Sequence, residues 1–260
     1  MNGTEGKVAI VSGGATLIGL RIAARLVAAG GRVVLADISE PAALDAVAGD
    51  DVHFVRTDIT VDADIDNCIA ATVSRFGGID WLINVACTYL DNGLASTRSE
   101  WLHALDVNVV GGAVFAAKAA PHMRRRGGGA IVNLGSISGK VAQPGRLLYP
   151  VSKAAILGMT RNLALQLAPD RIRVNSVSPG WTWSNAIRQL SNDNRSRADA
   201  VAAEFHLIGR LVDPDELADA VAFLCSGAAT GITGADIAVD GGYSALGPEQ
   251  LVDRISALAG

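Results

Sequence analysis

Cysteine is scarce: Cys68, Cys87 and Cys225 are the only three in 260 residues, and they lie far apart without metal-ligand spacing. That pattern fits a reducing compartment better than a disulfide framework. The four histidines, His53, His103, His122 and His206, also lack metal spacing, so no metal site is expected. Charge is sparse too, with 18% charged residues, a net charge of −4 and no basic patch. This argues against a nucleic-acid partner. No apolar run is long enough to cross a bilayer, and polar Met1 to Lys7 runs directly into an apolar segment. Neither a membrane span nor a signal peptide is expected, which leaves a cytoplasmic location as the default. Repeats, linkers and low-complexity stretches are absent as well. What is present is apolar residue, half the chain, enough for one domain over 1–260 with a sizeable core.

Short apolar runs alternate with longer helical patterns. The runs are Lys7 to Val11, Arg32 to Asp37, Val52 to Thr57, Ile79 to Asn84, Ala130 to Leu134, Arg171 to Val177 and Asp236 to Asp240. Helical patterns fall on Leu20 to Ala29, Asp62 to Phe76, Glu100 to about Arg126, Tyr149 to Leu167, and from Asp213 to near Ser226. The alternation predicts an α/β Rossmann fold: one seven-stranded, doubly wound parallel sheet with helices on both faces. Ligands of such sheets lie beyond the C-terminal strand ends. Gly13, Asp37, Asp58, Asn84, Ser136 and Pro179 all fall at those ends.

The first strand is followed by Ser12-Gly13-Gly14-Ala15-Thr16-Leu17-Ile18-Gly19 and then a helix. A Gly-rich turn opening a helix turns backbone N–H groups and the helix dipole toward a phosphate. Asp37 closes the next strand, 18 residues after Gly19. There, roughly 20 residues on, a carboxylate reaches an adenosine ribose. It accepts hydrogen bonds from the ribose diol and repels a 2′-phosphate, which favours NAD over NADP. The alternative is a strand–helix turn with Asp37 as a helix N-cap.

Tyr149 and Lys153 are four apart and share a helix face. A cation one turn from a phenol favours the phenolate, so the pair is a candidate for proton transfer near neutral pH. Asn108 lies inside a helical pattern, where an Asn competes with the backbone and calls for a specific partner. Trp181 to about His206 breaks into mixed polar sequence, including Ser191 to Arg195. It reads as a substrate lid over about 181–210, or as a plain surface excursion.

Over nearly its full length the chain resembles the short-chain dehydrogenase/reductase family. Ser136, then Tyr149, then Lys153 match that family's Ser…Tyr-x-x-x-Lys pattern. Asn108 in Asp106-Val107-Asn108-Val109-Val110-Gly111 matches its fourth catalytic residue, and Asp58-Ile59 its adenine-contacting pair. Pro179-Gly180 and Asp240-Gly241-Gly242 match later signatures. The resemblance implies that Tyr149 is the general acid/base on the substrate oxygen. Lys153 would lower the Tyr149 pKa and hold the nicotinamide ribose, Ser136 would bond the same substrate oxygen, and Asn108 would hold a water that relays protons from Lys153 to solvent. It further implies that the cofactor is held by Ser12, Gly13, Leu17, Ile18 and Gly19 of the turn, by Asp37, Ile38, Asp58 and Ile59, by Asn84 and Ala86, by Tyr149 and Lys153, and by Pro179, Gly180, Thr182 and Ser184. The partner would be a small-molecule alcohol or ketone, and the assembly a homotetramer.

The chain departs from that pattern in places. Leu17 stands where the family has the middle glycine of its turn, and a side chain there changes how the cofactor fits. Val85 replaces the second Asn of an Asn-Asn-Ala-Gly segment, so strand tying needs another partner. Cys87 follows, read as a small buried filler. Gly135 replaces a Ser, and Ser184 keeps a hydroxyl where the family has Thr. Trp181, Trp183 and Tyr89 either line the substrate site or pack lid onto core, and His206 is a lid residue within reach of substrate. The function expected is NAD-dependent interconversion of a secondary alcohol (a cyclic diol, a sugar or an aromatic alcohol) and a ketone. The alternatives are a 3-oxoacyl-type carbonyl reductase and a non-catalytic dinucleotide-binding regulatory protein.

Overall fold

Strand β1 reads Val-Ala-Ile-Val-Ser over Val8–Ser12, and all of it is buried. Such a run, apolar on both pleat faces, is stable only in mid-sheet with helices above and below. The computed structural model, which describes residues 3–41 and 49–247, places it there. The strands β2 (Arg32–Asp37), β3 (Val52–Arg56), β4 (Trp81–Asn84), β5 (Gly129–Leu134), β6 (Ile172–Pro179) and β7 (Asp236–Val239) join it in the order β3-β2-β1-β4-β5-β6-β7. Every pairing in this seven-stranded sheet is parallel.

Helices α1 (Leu17–Ala28) and α8 (Pro214–Cys225) cover one face, burying Ile22, Leu26, Leu217 and Val221 against Val11, Leu35 and Ile83. Helices α2 (Asp62–Phe76), α4 (Gly111–Arg125) and α5 (Leu148–Leu167) cover the other. There Ile65, Ile69, Phe115, Ala119 and Ala164 pack on Ile10, Val34, Leu82 and Ile131. Each fully buried large side chain contributes about 1.5–3 kcal/mol relative to exposure. The order reverses between β1 and β4, so a crevice opens there at the C-terminal strand ends.

The expected long helix over Glu100 to Arg126 is a composite. Helix α3 (Arg98–Leu105) passes through one π-helical turn, Asp106–Val110, into α4. An inserted turn of this kind re-aims a side chain, and the residue at its centre is Asn108. Helix α1 also starts three residues earlier than the apolar pattern suggested. Thr16 caps it by accepting from the Gly19 N–H at 3.1 Å, which makes Leu17 its first residue. The 181–210 excursion carries helices α6 (Asn185–Leu190) and α7 (Arg195–Ala202). It has a small core of its own, in which Trp183, Ile187 and Phe205 pack on Ala198, Ala202 and Leu211. Among the described residues no helix is long and apolar enough to cross a membrane.

Candidate active site

The Gly-rich turn is built so closely that side chains would not fit. Gly13 has φ +69°, and a Cβ on it would stand 2.6 Å from the Ala86 nitrogen. A Cβ on Gly19 would stand 2.3 Å from the Gly13 carbonyl oxygen. The turn is thus pressed onto the β4 end, as a backbone cradle for an anion requires. Ser12 and Ile18 are buried beneath it. Leu17 is only partly buried, and its N–H, an unpaired donor of the first helical turn, is taken by the Asn185 Oδ1 of α6 at 2.8 Å.

Asp37 lies at the end of β2 and accepts from the Ala15 N–H at 3.0 Å through Oδ2, and from the Ser39 N–H at 3.2 Å through Oδ1. It therefore ties the β2 end to the Gly-rich turn, and among the described residues it caps no α-helix. Ile38 beside it is 59% exposed. The Asp58 Oδ1 accepts from both the N–H and the hydroxyl of Thr60, and these donors hold its carboxyl below the usual range. Ile59 is buried and lies against Gly111, where a Cβ would come 2.7 Å from the Ile59 carbonyl oxygen.

Asn84 closes β4 beside Ala86. Its Nδ2 donates to the Asn133 Oδ1 at 2.9 Å, and the Asn133 Nδ2 donates to the Thr160 hydroxyl at 3.0 Å. This chain ties β4, β5 and α5 together where Val85 cannot. The Asn84 Oδ1 is buried without a hydrogen-bond partner. A small cavity at the strand ends is lined by Ser12, Ile59, Asn84, Ala86, Asn108 and Asn133 among others.

Tyr149, Lys153, Ser136 and Asn108 come together where β5, α5 and the π turn meet, and all four are buried. The N-terminal turn of α5 has no cap of its own, since Leu147 supplies no side-chain bond. The Asp91 carboxylate, from the loop after β4, takes the N–H groups of Leu147, Leu148 and Tyr149 at 3.0–3.2 Å. Burial pushes the Asp91 carboxyl up, but these donors and the Gly93 N–H win and hold it below the usual range. A sequence scan finds this residue only by asking where an uncapped helix obtains its acceptor.

The Asn108 Oδ1 accepts from the Thr88 N–H at 2.7 Å, while its Nδ2 donates to the Thr88 carbonyl at 3.1 Å and to the Ser152 hydroxyl at 2.9 Å. This buried Asn joins the post-β4 loop to α5. The Ser136 Oγ accepts from the Ser138 N–H at 3.1 Å.

The electrostatics differ from the expectation for the Tyr–Lys pair. Lys153 donates to the Leu134 carbonyl at 2.8 Å, and burial pulls its ammonium below the ordinary 10.5. Its Nζ stands 5.6 Å from the Tyr149 ring centroid. The Tyr149 phenol is pushed above its ordinary 10, first by burial and then by Cys87, against the opposing pull of Ser136 and Arg146. The cation that acts on the phenol here is Arg146, whose guanidinium carbon lies 5.4 Å from the ring centroid. Tyr89 stacks on Tyr149, with centroids 5.2 Å apart and planes 24° apart.

Pro179 ends β6 and Gly180 follows it, where a Cβ would meet the Asp240 carbonyl oxygen at 2.7 Å. Thr182 is buried and donates to the Gly180 carbonyl at 3.2 Å. Ser184 caps α6. His206 is buried, its Nδ1 donating to the Arg210 carbonyl at 2.7 Å and its Nε2 accepting from the Trp181 N–H at 3.3 Å. Both ring nitrogens are thus committed to the fold. Trp181 packs edge-on to Phe205, and Trp183 lies under the Arg195 guanidinium. Cys87 is partly buried and free. Among the described residues, no cluster of His, Cys, Asp or Glu could hold a metal.

A family model described as Enoyl-(Acyl carrier protein) reductase matches residues 13–244. The chain is 35% identical to the cis-4-hydroxycyclohexanecarboxylate dehydrogenase of Sinomonas cyclohexanicum, covering 92% of this chain and 97% of that one. It is also 35% identical to the human dehydrogenase/reductase SDR family member 4, over 91% of this chain and 87% of that one. Among solved structures, a 7α-hydroxysteroid dehydrogenase complexed with NADH and 7-oxo glycochenodeoxycholic acid has a TM-score of 0.85 at 29% identity, covering 92% of this chain and 94% of that one. The L-sorbose reductase of Gluconobacter frateurii, complexed with NADPH and L-sorbose, has a TM-score of 0.84 at 31% identity over 92% and 97% of the two chains.

Proposed function

The chain belongs to the short-chain dehydrogenase/reductase family and is an oxidoreductase acting on CH–OH groups; we propose that it is NAD-dependent and interconverts a cyclic secondary alcohol and its ketone, with Tyr149 as the general acid/base. The observation that carries the reading is the convergence of Ser136, Tyr149, Lys153 and Asn108, all buried, next to the glycine cradle at the switch point.

A nicotinamide dinucleotide fits the residues present. The turn of Gly13 and Gly19 leaves room for backbone only, and the Asn84 Oδ1 is a buried acceptor awaiting a donor. The anion cradle would take the pyrophosphate, Asp37 the adenosine ribose, Asp58 and Ile59 the adenine, and Thr182 and Ser184 the carboxamide side. Bound there, the cofactor supplies the acceptor for the hydride lost from the carbinol carbon. The protein handles the proton. Tyr149 takes it from the substrate hydroxyl as the carbon–oxygen double bond forms, and Ser136 donates to the same oxygen and stabilises charge developing on it. Lys153, which here donates to the Leu134 carbonyl, would hold the ribose hydroxyls. Asn108 fixes the post-β4 loop against α5, and a water held beside it carries protons from Lys153 to solvent.

Asp37 favours NAD, because its carboxylate repels a 2′-phosphate. The ring substrates in the names of two of the matched proteins favour a cyclic alcohol. The segment 181–210 would act as a lid, and the assembly would be a cytoplasmic homotetramer, which light scattering measures directly. Calorimetric titration tests the cofactor: NAD should bind at least about tenfold tighter than NADP, with D37A removing the difference. Tighter NADP binding would put the carbonyl reductase reading ahead.

A further inference from the structure

Three groups on the loops around the start of α5 take no part in that reaction. Arg146, on the loop leading into α5, is exposed, and its guanidinium lies over the Tyr149 ring at 5.4 Å from the centroid. Among the described residues it has no ion-pair partner, whereas the other cations around the site are engaged. Lys153 is buried on the Leu134 carbonyl, and Lys140 pairs with Asp236. Asp91, close by in the fold, makes no ion pair with it: the Asp91 oxygens accept from the backbone N–H groups of Leu147, Leu148, Tyr149 and Gly93.

The other two groups are apolar. Tyr89 stacks on Tyr149 with 49% of its surface exposed. Leu94 is 97% exposed, on a turn whose Gly93 sits against the Gly145 carbonyl, next to Arg146 in the chain. The loops around the start of α5 therefore offer exposed apolar surface and one unpaired guanidinium, its carbon 5.4 Å from the centroid of the acid/base ring. A guanidinium is a fork of donors matched to a carboxylate, and it is worth most where apolar surroundings keep water away.

We infer that Arg146 is a specificity-determining residue that reads a carboxylate, so that the substrates are hydroxy acids. This rests on the reading of the site as an alcohol oxidoreductase. It adds the charge of the substrate and the residue that recognises it.

The test separates the two claims by measuring binding apart from turnover. Cyclohexanecarboxylate, which has no hydroxyl to oxidise, and its neutral amide are titrated calorimetrically into the NAD-loaded enzyme. The wild type should bind the acid about tenfold to a hundredfold tighter than the amide, the range of a charge-assisted bidentate contact. Arg146→Gln should bring the ratio near unity, and Arg146→Lys should keep part of it. Circular dichroism checks that the variants are folded. In turnover, 4-hydroxycyclohexanecarboxylate should outpace its methyl ester in kcat/KM, and Arg146→Gln should level the pair. Equal binding of acid and amide by the wild type, or an unchanged preference in Arg146→Gln, overturns the inference. If the carboxylate preference depends on Arg146 but no alcohol is oxidised, the anion site stands and the alcohol oxidoreductase reading fails.

Discussion

At the scale of the residue, the sign of two pKa shifts sets the pH behaviour of the site. Burial raises the Tyr149 phenol above 10 and lowers the Lys153 ammonium below 10.5. A raised phenol keeps its proton through neutrality, so the phenolate needed to accept a proton from an alcohol is scarce at neutral pH and grows as pH rises. The value of kcat/KM for alcohol oxidation should therefore climb over roughly pH 7 to 9, while ketone reduction, which needs the protonated phenol, should not. Stopped-flow profiles in both directions check this, and a flat oxidation profile would contradict it. The charge of bound NAD+ favours the phenolate, so its binding should release protons. Calorimetry in two buffers of different ionisation enthalpy measures that release. Tyr149 and Lys153 were both legible in the sequence, as a spacing. The environment that sets their charge was not, because Arg146, Cys87 and the Leu134 carbonyl reach them through the fold.

At the scale of the element, the catalytic helix is held at its start from outside. Helix α5 lacks a capping side chain of its own, and Asp91 takes the N–H groups of its Leu148 and Tyr149 and of Leu147 just before it. Asp91→Ala should leave these donors unpaired. The expected cost is about 2 kcal/mol, at the upper end of cap removals, read in a urea denaturation curve. It should also lower kcat more than it raises KM, because Tyr149 moves with the turn. Asp91→Asn keeps an acceptor and should recover part of both losses. Wild-type stability and kinetics in Asp91→Ala would show that the cap is dispensable. The strands and the helices that cover the sheet followed from apolar periodicity. The π turn at Asn108 did not, since the pattern runs unbroken across it. The sequence marks the place only through a polar residue in an apolar stretch.

At the scale of the whole molecule, the alternation of apolar runs with helical patterns was sufficient for the parallel sheet and the edge on which the site lies. The helices of segment 181–210 and their small core were hidden, because Trp183, Ile187 and Phe205 pack on Ala198, Ala202 and Leu211 without a long periodic run. The opposite edge of the sheet is pinned by Asp80, whose side chain is 1% exposed and bonds Lys7, Arg126 and the Val8 N–H. Burial pushes its carboxyl up, but Arg126, Lys7 and Val8 outweigh this and hold it below the ordinary 3.8. Such a group binds fewer protons folded than unfolded, so its stabilisation is complete above that value and is lost as pH falls through its lower folded pKa. Asp80→Ala should cost about 2–3 kcal/mol at neutral pH, in proportion to bonds to charged groups. The gap to the wild type should narrow below about pH 4. Denaturation curves at neutral and acid pH check both statements. A gap that widened in acid would contradict the sign.

The central claim is that Tyr149 moves the proton in an NAD-dependent alcohol oxidation. Its most direct test is the rise of NADH absorbance when the enzyme, NAD and a panel of cyclic secondary alcohols are mixed, run side by side with Tyr149→Phe. The wild type should turn over, and the variant should lose about 10²–10⁴ in kcat, the scale of general acid–base catalysis, with NAD affinity kept within a few-fold. Equal turnover by the two proteins, or NAD binding with no oxidation of any alcohol in the panel, would contradict it.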